Sequence, residues 1–68
     1  MIPARLRDDM ASAGRRAAEL AAGYRMGGER ELAGIADALA SSLAHAVEAA
    51  NELQRAQAEA ERREGRAA

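Results

Sequence analysis

The chain contains no cysteine, tryptophan, phenylalanine or lysine, one proline, and one aromatic residue, Tyr24. Without cysteine there is no disulfide framework and no thiolate metal site. At 68 residues the chain is one domain at most, near the size where a single core is marginal without staples or a partner. A lone tyrosine offers no series of stacking platforms for single-stranded nucleic acid. Ten arginines are interleaved with eleven acids, so no stretch carries the electrostatic footprint of a nucleic-acid binder. No window approaches the roughly 18 apolar residues of a membrane span, and the opening MIPARLRDDM lacks the apolar core of a signal peptide. The composition leads us to expect a cytoplasmic protein whose partners include no nucleic acid, membrane or small-molecule substrate.

Helix formers fill the rest of the sequence. Twenty residues are alanine, and only thirteen are larger apolar ones: six Leu, three Met, two Ile, Val47 and Tyr24. Burial of so few large side chains falls short of the entropy cost of ordering the backbone, so a partner chain is expected. The fold expected is all-α, an antiparallel two-helix hairpin with a Gly-Gly turn, completed by that partner.

The first helix is expected over about 3–25, with Pro3 in its first turn, where a missing N–H costs nothing. Leu6, Met10, Ala13, Ala17, Leu20 and Tyr24 follow at alternating spacings of four and three, a heptad seam. Gly27 is read as the left-handed residue that closes this helix, and Gly28 as the cap that opens the next. The turn then covers 26–28 and the second helix about 29–64, with Glu29 and Glu31 favourably placed in its first turn. Its seam is Leu32, Ala36, Leu39, Leu43, Ala46, Ala50 and Leu53, flanked by Ile35 and Val47. From Gln54 onward the large apolar residues stop, and a solvated extension is expected to end at Gly65.

Reversal at Gly27–Gly28 sets Tyr24 against Leu32, Leu20 against Ala36, Ala17 against Leu39, Ala13 against Leu43, Met10 against Ala46 and Leu6 against Ala50. All but the first layer join a large side chain to an alanine, which fills space without voids. Gly34 falls near Ala21 in this register. A hairpin buries one stripe of each helix, which leaves Ile35, Leu39, Leu43, Val47 and Leu53 as a partner-binding strip beside the small residues of helix one. That strip either closes a homodimeric four-helix bundle or docks on another protein.

Nothing in the sequence assembles a catalytic or cofactor site. His45, the one histidine, falls with Ser41, Glu48 and Glu52 away from the seam. Asp8 and Asp9 are adjacent and point in different directions around a helix, so they make no carboxylate pair. MGGERE lacks the Lys and Ser/Thr of a phosphate-cradling loop and leads into acids that repel phosphate. No catalytic, cofactor-binding or metal-binding residue is assigned.

Helix order, RMGG at the end of the first helix, and the long amphipathic ERELAGIADALASSLAHAVEAANEL resemble the small co-chaperones of type III secretion needle subunits, over residues 4–53. The resemblance implies a non-enzymatic cytoplasmic protein, coiled-coil-like, that forms a heterodimer with a larger helical chaperone. Together they would keep the needle subunit soluble before export.

Overall fold

The computed structural model describes residues 2–67; Met1 and Ala68, the ends of the expected 1–68 hairpin, lie outside the described residues. Two helices, α1 (Ala4–Met26) and α2 (Arg30–Ala67), account for almost all of it, and the described residues include no strand. They run antiparallel. Contacts step in opposite directions along the two helices, from Arg25 with Asp37 near the connection, through Gly14 beside Leu43, to Arg7 with Asn51 and the Ile2 backbone with Gln57.

Local chemistry places the ends with small corrections to the sequence reading. Pro3 is the N-cap of α1 rather than part of its first turn: its ψ of 134° is extended, and its carbonyl accepts from Leu6 N–H at 3.1 Å. Gly27 (φ −85°, ψ 0°) donates to the carbonyls of Gly23 and Tyr24, and the left-handed residue is Gly28, at φ +80°. Closure therefore comes one residue later than expected, because Met26 still belongs to the helix. Glu29, not Gly28, then precedes α2, and its carbonyl accepts the first bond of that helix from Ala33 N–H at 2.9 Å.

The second helix also runs past its expected end. Gly65 does not stop it, since among the described residues no left-handed residue or proline follows to break the hydrogen-bond ladder. Nor is the segment after Gln54 solvated from its start. Gln54 and Gln57 are half-buried and accept hydrogen bonds from Arg7 and from the Ile2 backbone N–H. Only the last ten or so residues project beyond α1, about 15 Å of single helix at 1.5 Å per residue.

The core is made of alanine. The buried residues are Ala17, Ala21, Ala33, Ala36 and Ala50, and no larger side chain among the described residues is fully buried. The interface is turned by one position from the expected seam at alternate layers of both helices. On α1 the line facing α2 is Met10, Gly14, Ala17, Ala21 and Tyr24, whereas Leu6, Ala13 and Leu20 are exposed. On α2 it is Ala33, Ala36, Ala40, Leu43, Val47 and Ala50, whereas Leu32, Leu39 and Leu53 are exposed. The reason is steric: small residues facing each other let the helix axes approach, and two helices by themselves cannot surround a leucine. Gly14 takes part in this approach, whereas a Cβ on Gly34 would meet nothing within 4 Å, so that glycine is not held there by packing.

Candidate protein-binding face

The one-position turn gives the hairpin two unlike sides. In an antiparallel pair, moving both seams one residue toward their C-termini draws in residues from the same side of the hairpin and leaves the opposite side bare. The drawn-in side carries the polar links between helices. Arg7 Nη1 donates to Asn51 Oδ1 at 3.2 Å and to Gln54 Oε1 at 3.4 Å, and Arg25 pairs with Asp37. Between these links lies an open groove of about 500 Å³, lined by Met10, Gly14, Ala18, Ala40, Leu43 and Val47 among others.

The bare side is apolar. On α2 the positions 32, 35, 39, 42, 46, 49, 53 and 56 alternate spacings of three and four, a second heptad line beside the one that packs on α1. Its residues are Leu32, Ile35, Leu39, Ser42, Ala46, Ala49, Leu53 and Ala56. Ile35 is 62 % exposed and Leu39 52 % exposed, fractions unusual for such side chains. The one hydroxyl on the line is already satisfied, since Ser42 Oγ donates to the carbonyl of Ala38 at 3.0 Å. On the same side α1 contributes Leu6, Ala13 and Leu20 at seven-residue intervals, with Asp9 and Arg16 between them. The result is an apolar face shared by both helices, with Asp9 and Arg16 on its α1 edge.

The five residues expected to bind a partner divide between the two sides. Ile35, Leu39 and Leu53 stand on the bare face. Leu43 and Val47 are half-buried in the seam against α1; a Cβ on Gly14 would lie 3.5 Å from that of Leu43. Leu6, Leu20 and Leu32, assigned to the seam by the sequence reading, join the face instead. Their signal was present as the second heptad line, which the choice of a leucine-first seam obscured.

No family model, curated protein or solved structure matches this chain. The face is therefore judged on its own chemistry. No helix among the described residues is long and apolar enough to cross a membrane. Among the described residues no three His, Cys, Asp or Glu side chains gather as a metal site, and no polar side-chain atom is buried without a partner. His45 lies on the outer surface of α2, with Nδ1 3.7 Å from a carboxylate oxygen of Glu48. What the arrangement can do is pack: it presents large aliphatic side chains at helical spacing on two paired helices.

Proposed function

We propose that this chain is a non-enzymatic protein-binding module, a hairpin turned at Gly27–Gly28 and completed when partner helices cover its apolar face. The observation that carries the reading is the inversion of side-chain size, with alanines inside and leucines outside. Two helices alone have no third wall against which to bury Leu20, Leu32 and Leu39, each worth about 2 kcal/mol when fully buried, so helices that cover this side recover what the hairpin by itself cannot. Leaving all of them half-exposed on one side is explained by a chain that arrives from that side.

In the form implied by the resemblance, the partner is a larger helical chaperone in the cytoplasm, and the pair holds a needle subunit soluble before export. A second form is self-association into a four-helix bundle, favoured by the distribution of large and small residues along the face. Both work by helix-on-helix packing, and both need Ile35 and Leu39 shielded in the working state.

Shielding can be read in the cells that make the protein. The chain has no native cysteine, so Ile35→Cys, Leu39→Cys and, as an outer-surface reference, His45→Cys each report one position to a thiol-reactive probe. Positions 35 and 39 are expected to label several-fold more slowly than position 45. Equal rates at all three would mean the face is uncovered in the cell and would overturn the reading.

A further inference from the structure

We propose that the apolar face is covered by a second copy of this chain, with α1 antiparallel to α1 of the partner copy and α2 antiparallel to α2 of the partner copy, about a two-fold axis at Ala13. This rests on the protein-binding reading above and names its occupant.

The charges set the register. Asp9 and Arg16 are exposed, lie on the rim of the face, and have no ion-pair partner among the described residues. Seven residues apart on one helix, they are about 10 Å apart along its axis, too far to pair with each other. When two α1 helices cross antiparallel at Ala13, Asp9 of each copy comes beside Arg16 of the other, and both pairs form at once. A self-complementary patch of this kind is what a two-fold interface requires.

The same axis sorts the side chains of α2. Gly14 lies beside Leu43, so Ala13 stands level with about residue 44 of α2, and that level becomes the centre of the α2 pair. Leu39 then faces Ala49 of the other copy, Leu32 faces Ala56 and Ser42 faces Ala46, while Ile35 faces Leu53 and, on α1, Leu6 faces Leu20. Helices that cross approach most closely at the crossing and separate toward their ends. Small residues occupy the centre on both helices, and leucines and Ile35 occupy the ends, where more space must be filled. The other two-fold arrangement, α1 against α2 of the second copy, would set Asp9 beside Ala49 and Arg16 beside Ser42, with no opposite charge for either.

Light scattering after size exclusion, across a tenfold range of concentration, is expected to give twice the chain mass at the upper end. A monomer throughout would overturn the proposal; shielding of positions 35 and 39 in cells would then still support a different protein occupant. Ala13→Cys tests the axis. It is expected to form an intermolecular disulfide on mild oxidation, while Glu19→Cys, on the outer surface, does not. A dimer in which Cys at position 13 fails to cross-link would refute the arrangement. Asp9→Arg should weaken the dimer about tenfold, because two attractions become two repulsions of modest size. Adding Arg16→Asp should restore it. Since the two residues do not touch within one chain, rescue requires that they meet between chains, and its absence counts against this register.

Discussion

A Cβ placed on Gly14 would lie 3.5 Å from the Cβ of Leu43, ordinary van der Waals contact and no closer. The helices are thus near enough at this level that one methyl group fills the remaining space. Gly14→Ala should fit without displacing Leu43 and should remove the helix-interior cost of glycine, raising stability by about 1 kcal/mol. Gly14→Leu should do the opposite, by pushing the helices apart. Thermal unfolding of the two variants under identical protein concentration checks both signs; a loss of stability in the alanine variant would mean the approach is tighter than this.

Gly28 carries the one positive φ among the described residues, +80°, and Gly27 does not. Gly28→Ala should therefore cost about 1–2 kcal/mol from left-handed strain. Gly27→Ala, whose Cβ would meet only the carbonyls of Gly23 and Tyr24 at 3.6 Å, should cost much less. For a domain of this size, each 1 kcal/mol corresponds to a midpoint shift of about 4–8 °C. Equal shifts in the two variants would contradict the assignment of the strained residue.

Leu39 and Leu43 are one helical turn apart and lie on different surfaces, so the same substitution should fail in different ways. Leu43→Glu places a carboxylate in the seam against α1 and should reduce helicity even in the isolated chain, whereas Leu39→Glu should leave the isolated hairpin folded and abolish association. Circular dichroism at low concentration and molar mass at high concentration separate the two effects. Only Leu39→Glu is a clean probe of partner binding.

Arg7 ties the start of α1 to Asn51 and Gln54 with its guanidinium part-buried. Arg7→Ala should release this end of the hairpin locally, at a cost of about 0.5–1.5 kcal/mol, while the layers near Ala21 and Ala33 stay closed. Amide hydrogen exchange should quicken at residues 4–10 and 50–58 and not near the connection. Uniform quickening along both helices would show instead that the hairpin opens as one unit.

Both helices were legible in the sequence, because alanine, leucine, glutamate and arginine favour helix. The facing surfaces were less so, for a definite reason. Two heptad frames on α2 share Ala36, Leu43 and Ala50 and differ in whether Leu32, Leu39, Ala46 and Leu53 or Ala33, Ala40, Val47 and Gln54 point inward. A rule that places the largest residues inside selects the first frame. The hairpin adopts the second, because close approach of two helices favours the small residues and gives the leucines no third wall to bury against. The exposure of Ile35, Leu39 and Leu53 was legible from their spacing. Leu43 and Val47 were not separable from them without knowing which frame wins, and Arg7 gave no hint that its guanidinium would reach Asn51 and Gln54.

An alanine core has a calorimetric consequence. Heat-capacity change on unfolding grows with the apolar area exposed, and this hairpin fully buries only alanines while leaving Met10, Tyr24, Leu43 and Val47 half-buried. Closing the two helices on each other should therefore leave a small heat-capacity signature and a shallow dependence of stability on temperature. Covering Leu20, Leu32, Ile35 and Leu39 should bring most of the negative heat-capacity change that marks apolar burial. If association covers that face, the hydrophobic effect belongs mainly to that step, and temperature should act on the assembled state far more than on the hairpin itself.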